Sequence, residues 1–128
     1  NYSVETNYII EGTLDLLKKT DSGVEIIDFK TGEYKEENLF IYKRQLEIYA
    51  YLLKDKYPLD NIRAFLYYIE EENPKIEIKL TLENIEKSLE SFNKVANKLL
   101  EKNFLPRKYG ESCQSCEFRW YCLPKEEN

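Results

Sequence analysis

The 128-residue sequence contains no His and no Met, one Trp, three Cys, four Gly and four Pro. The missing imidazole excludes the most: Ser-His-Asp and Cys-His nucleophiles, His general bases and zinc sites built on His. An enzyme of this composition must work through carboxylates, lysines, tyrosines or a bound metal. With no Met, residue 1 reads as an internal position, and the chain is expected to be a piece of something longer. No apolar run approaches the roughly 18 residues of a membrane span, and no signal-like segment opens the sequence. The odd cysteine count argues against a closed secreted disulfide framework and favours a reducing, cytoplasmic setting without membrane contact.

What is present is globular in character, 42% apolar and 34% charged, within one domain's length. The net charge of -5 counts against a general nucleic-acid binder but leaves room for a local basic groove. Eleven Tyr could form a stacking surface. A chain rich in Lys, Asn, Ile, Glu and Tyr throughout is explained as well by biased composition.

Residues 8–19 have strand-like spacing, with Gly12 an interior weak point, and Thr20-Asp21-Ser22-Gly23 is turn chemistry. Residues 24–30, VEIIDFK, read as a second strand buried on both faces. The two form an antiparallel hairpin. Residues 39–57 read as a helix with an apolar stripe of Ile41, Leu46, Ile48, Ala50, Leu52 and Leu53, stopped by Pro58. Strands follow at 61–69 and 75–80. Thr81 then caps a helix over 82–103, with Ile85, Leu89, Phe92, Ala96, Leu99 and Leu100 on its buried side. The expected class is α/β, a small mixed or antiparallel sheet with two helices.

Register across the hairpin carries the chemistry. If Thr20 pairs with Gly23 and Lys19 with Val24, Asp15 lies directly opposite Asp28. Facing residues of this kind sit about 5 Å apart at Cβ, and like charges there destabilise the hairpin. Asp28 also shares its strand face with Val24 and Ile26, and burying an unpaired carboxylate costs several kcal/mol. Lys30 can offset one charge only. A divalent cation between Asp15 and Asp28 would resolve the conflict, and all-oxygen ligation suits Mg2+ or Mn2+. A surface hairpin with a simple Lys30 salt bridge stands as the plainer reading, and a three-residue loop would shift the pairing by one. On the next helix Gln45 and Tyr49 share one face at i, i+4, with Tyr42 close by and Lys43 and Arg44 flanking.

Gly12-x-x-Asp15, then Ile27-Asp28-Phe29-Lys30-Thr31-Gly32, then Gln45-Leu46-x-x-Tyr49 resembles the RecB-type branch of the PD-(D/E)XK nucleases. The likeness covers roughly residues 9–122, with each motif on the expected strand, strand and helix. It implies a restriction-endonuclease-like core over residues 1–104 and a cysteine-containing tail over 105–128 packing on that core. It further implies metal ligation by Asp15, Asp28 and the Phe29 carbonyl, and a Lys30 that positions or activates water and stabilises charge on the phosphate. Gln45 and Tyr49 would line the site and hold the strand. The implied activity is a Mg2+/Mn2+-dependent deoxyribonuclease, with exonuclease action favoured. DNA is the substrate, in end processing and recombinational repair, beside a helicase domain or subunit upstream. A stand-alone CRISPR adaptation nuclease and a catalytically dead nuclease fold serving as a DNA-binding scaffold are the alternatives; an ordinary α/β interaction domain whose cysteines bind zinc is a third. Many RecB-type nucleases carry a metal-site His on an upstream helix; with no His here, either this branch does without it or, as the resemblance implies, the N-terminal helix is missing from this piece.

Cys113, Cys116 and Cys122 have the spacing C-x2-C-x5-C. Three thiolates cannot close a four-coordinate zinc site without a further ligand. The spacing resembles the C-terminal part of the iron–sulfur staple in AddB-type and CRISPR adaptation nucleases, where a fourth Cys lies far upstream. It therefore implies a 4Fe–4S cluster in a longer chain, incomplete in this one. A Cys113–Cys116 disulfide, or three free thiols, would fit the spacing as well. Lys94, Lys98, Lys102, Arg107, Lys108 and Arg119 cluster towards this end, as DNA-phosphate contacts or as a solvated face.

Overall fold

A computed structural model describes residues 8–72, 74–102 and 111–119. Four strands form one mixed sheet in the order β1-β2-β3-β4. They are β1 (Leu16–Thr20), β2 (Gly23–Lys30), β3 (Ile62–Tyr68) and β4 (Lys75–Ile78), with helices α1 (Glu36–Leu53) and α2 (Leu82–Leu100). Short 3-10 turns occupy Leu59–Asn61 and Glu111–Cys113. The contacts divide the chain into two compact units, Asn1–Asn93 and Lys94–Asn128. Among the described residues no helix is long and apolar enough to cross a membrane.

The hairpin has the expected register, with Thr20 opposite Gly23, Lys19 opposite Val24 and Leu16 opposite Ile27. Gly23 makes the turn possible. Its φ is +154°, and a Cβ there would stand 2.0 Å from the Asn61 carbonyl oxygen, which belongs to fixed backbone. β2 then pairs in parallel with β3 through the α1 crossover, and β3 pairs antiparallel with β4. Burial of β2 and β3 on both faces follows from their central place in the sheet.

One face of the sheet carries Val24, Ile26, Ile62, Ala64, Leu66 and Ile78. They bury against Leu46 and Ala50 of α1 and Ile85 of α2. The other face carries Ile27 and Phe65 among charged side chains.

Several element boundaries differ from the sequence expectation. The first strand begins at Leu16 rather than residue 8, because Asp15 meets the next backbone donor of β2 with its side chain instead of its main chain. Helix α1 begins three residues early, since Glu36 and Glu37 suit the positive end of its dipole. It also ends four residues early, where Lys56 and Tyr57 N–H groups both turn back onto the Leu53 carbonyl. Its stripe is narrower than expected, with Ile41 63% and Leu52 39% exposed, while Glu47 is buried and accepts a 2.5 Å hydrogen bond from Ser88 Oγ. Thr81 caps α2 as expected, its Oγ1 accepting from Asn84 N–H at 3.2 Å. Phe92, Leu99 and Leu100 of α2 are exposed rather than buried. A helix of 19 residues rises about 28 Å, about twice the length of the four-residue β4.

Candidate active site

Because β1 runs antiparallel to β2 and β3 parallel to it, residue 15, the end of β2 and the end of β3 all lie at one edge of the sheet. Ligands in open α/β sheets collect at that edge, beyond the carboxyl ends of parallel strands. Asp28, Lys30 and Tyr68 stand there on the helix-covered face, and Asp15 has the same parity one step past the Leu16–Ile27 pair.

The two carboxylates are held differently. Asp28 is buried, and Lys30 Nζ lies 2.6 Å from its Oδ2. Among the described residues Oδ2 has no partner besides that lysine. Asp15 is exposed, and its Oδ2 accepts the Phe29 N–H at 3.0 Å. In a strand the N–H and C=O of one residue project to the same side, so the Phe29 carbonyl faces the edge that Asp15 occupies.

Lys30 is the hub. Besides Asp28, its ammonium approaches Gln45 Oε1 at 3.4 Å and stands 4.0 Å from the centre of the Tyr42 ring. Gln45 Nε2 in turn donates to Tyr49 Oη at 2.9 Å. The i, i+4 pair on α1 thus orients the lysine, and a cation over an aromatic face is held by the ring quadrupole. Gly12 packs under the far member of this relay: a Cβ there would meet Tyr49 Cε1 at 2.7 Å. It lies outside any strand, so close approach to Tyr49, not strand weakening, is what distinguishes it.

The structure therefore gathers Asp15, Asp28, Phe29, Lys30, Gln45 and Tyr49 at one place. Lys43 and Arg44 turn elsewhere, to Glu47 at 3.8 Å and to the Phe40 ring at 4.7 Å. Among the described residues no three His, Cys, Asp or Glu side chains come together as a metal site. A hard cation here would take two carboxylates, the Phe29 carbonyl and water. The buried Asp28 carboxylate, offset by one lysine only, fits that use, as does an all-oxygen donor set.

Sequence reasoning did not single out Tyr68, which lies opposite Lys30 in the parallel register. Its significance depends on a pairing between strands about 40 residues apart. A cavity of about 290 Å³ between α1 and the first turns of α2 is lined by Ala50, Tyr51, Leu59, Ile85, Leu89 and neighbours, and shares no residue with the carboxylate site.

In the second unit, Cys113 ends the 3-10 turn, and Cys116 N–H donates to its carbonyl at 3.4 Å. Both side chains are half-buried. Cys122, Arg107 and Lys108 lie outside the described residues. Lys94, Lys98 and Lys102 are exposed, whereas Arg119 donates to the Gln114 carbonyl at 2.8 Å.

A family model described as the PD-(D/E)XK nuclease superfamily matches residues 2–123. The mixed four-stranded sheet with two helices agrees with the restriction-endonuclease-like core of that family. Among curated proteins, an ATP-dependent helicase/nuclease subunit of Streptococcus pyogenes serotype M2 (strain MGAS10270) is 31% identical over 74 residues. That match covers 56% of the chain and 6% of the relative.

Proposed function

Since the chain belongs to the PD-(D/E)XK nuclease superfamily, we propose that it hydrolyses DNA phosphodiester bonds with a divalent cation, as the nuclease part of a larger helicase–nuclease. The observation that carries this reading is the buried Asp28 carboxylate, whose Oδ2 is met by a single cation, Lys30, at 2.6 Å, while Asp15 is tied to the neighbouring Phe29 N–H. Two carboxylates and one lysine leave a net negative charge there, which a divalent cation would balance.

Asp15, Asp28 and the Phe29 carbonyl would hold Mg2+ or Mn2+. Such an ion neutralises charge on the phosphate and makes water a competent nucleophile near neutral pH. Lys30 places a positive charge beside the reacting phosphate and orients the attacking water. Gln45 fixes the lysine, and Tyr49 fixes Gln45. No imidazole is needed at any of these positions.

The setting rests on the helicase/nuclease relative, of which this chain matches a small part. It supports a nuclease joined to a helicase; a role in DNA end processing and recombinational repair, with exonuclease action, is part of the same proposal. Cys113, Cys116 and Cys122 would supply three ligands of a 4Fe–4S cluster whose fourth comes from elsewhere in a longer chain. The local turn that brings Cys116 back onto Cys113 suits such a pair of ligands.

The test is a cleavage assay on linear and covalently closed DNA with Mn2+, Mg2+ or chelator. Linear DNA should be degraded with either ion and spared by chelator. Asp28→Ala should lose at least a hundredfold in rate while still binding DNA; retained cleavage would overturn the assignment.

A further inference from the structure

Tyr68 ends β3 directly opposite Lys30, on the same face of the sheet, so the two side chains are cross-strand neighbours. The residue is 2% exposed, and its hydroxyl is buried with no hydrogen-bond partner. Such groups are uncommon, because a buried hydroxyl without a partner carries its whole desolvation penalty. A phenylalanine would fill the same space without that penalty. The Tyr34 ring packs edge-on against Tyr68 at 5.6 Å, fixing it from the outer side.

The chemistry around the hydroxyl identifies what it lacks. Lys30, its neighbour, is itself a donor. Burial, followed by the fields of Tyr42, Tyr34, Asp28 and Glu71, holds the Tyr68 phenol above its ordinary pKa, so it keeps its proton. Two fixed donors side by side, one cationic and one neutral, are complementary to an anionic oxygen acceptor. Among the described residues none accepts from the Tyr68 hydroxyl, and the nearby Asp28 carboxylate is engaged by Lys30, whereas a phosphodiester would bring two non-bridging oxygens.

We propose that Tyr68 is a further catalytic residue of this site, its hydroxyl donating to a non-bridging oxygen of the scissile phosphate beside Lys30. The proposal rests on the nuclease reading above. It adds a residue that belongs to none of the three sequence motifs.

The test is Tyr68→Phe, measured beside the wild type and Asp28→Ala. The variant should fold with a thermal midpoint equal to or above that of the wild type. Its kcat should fall about tenfold, with KM within twofold. On DNA carrying a single phosphorothioate at the cleaved linkage, one diastereomer should show a much smaller penalty for the same substitution, because sulfur accepts the hydrogen bond poorly. Unchanged kcat, a midpoint that falls together with activity, or an equal penalty on both diastereomers would overturn the proposal. Absence of cleavage by the wild type would instead overturn the nuclease reading, and so the two failures are distinct.

Discussion

Strand β2 buries two carboxylates three residues apart, Glu25 and Asp28, one on each face of the sheet, and they are treated in opposite ways. Glu25 is surrounded by cations: Lys75 at 3.3 Å, Arg63 at 3.5 Å and Lys18 at 3.8 Å. Arg63 also meets Glu77 through two contacts of 2.9 and 3.0 Å, and both Arg63 and Lys75 lie over the Phe65 ring. Asp28 has one cation, Lys30, on its Oδ2. On the proposed function, the same strand holds a structural acid and a working acid. The structural acid has its charge compensated by three cations within the protein, while the working acid, offset by one, would take a further cation from outside.

The sharpest way to break this contrast is to neutralise each acid in turn. Asp28→Asn should abolish cleavage, by a hundredfold or more, and leave the thermal midpoint nearly in place. Lys30 would still be held by Gln45 and the Tyr42 ring. Glu25→Gln should do the reverse, keeping activity within about twofold while lowering stability. The loss should be about 1 kcal/mol, because its cations keep 40–59% of their side-chain surface in water and are screened. Thermal unfolding paired with the nuclease assay checks both. If both substitutions changed activity alike, the division of labour would be wrong.

A smaller effect tests the relay behind the working acid. Gly12→Ala should displace the Tyr49 ring, loosen Gln45 and cost roughly three- to tenfold in kcat. In a Tyr49→Ala background the same change should cost nothing further, since the two act through one contact. The smallest effect lies on the structural face. Hydrogen bonding to Arg63 holds the Glu77 carboxyl below its ordinary value near 4.5. The pair therefore adds stability above that value, and the contribution disappears as pH falls through the lowered one. Glu77→Gln should flatten this acid limb slightly in low salt and leave it unaltered in high salt, as read by unfolding between pH 3 and 6.

Much of this is legible in the sequence where the information is local. Thr20-Asp21-Ser22-Gly23 marks a turn whose shortest form gives the observed register, and that register places Asp15 by Asp28; a loop one residue longer is equally open to the sequence. Gln45 and Tyr49 follow from helix periodicity. The Glu25 cage and Tyr68 are not legible, because each depends on β3 lying parallel to β2 and so on residues about 40 positions apart. Among eleven tyrosines, helix periodicity points to Tyr42 beside the lysine, but nothing local points to Tyr68 on its other side. The start of β1 departs from expectation because Asp15 substitutes its side chain for a backbone rung, a choice invisible to a pattern of alternating residues.

The 2.6 Å approach of Lys30 to Asp28 has a consequence for selectivity among ions. The protein carries its own competitor for the position that an incoming cation would take. A monovalent ion offers Asp28 no more charge than the ammonium already does, so exchange gains it little. A divalent ion gains twice the attraction and frees the lysine to face an anion. On the proposed function, the resting site would thus be biased against monovalent ions and released by the arrival of double charge together with phosphate.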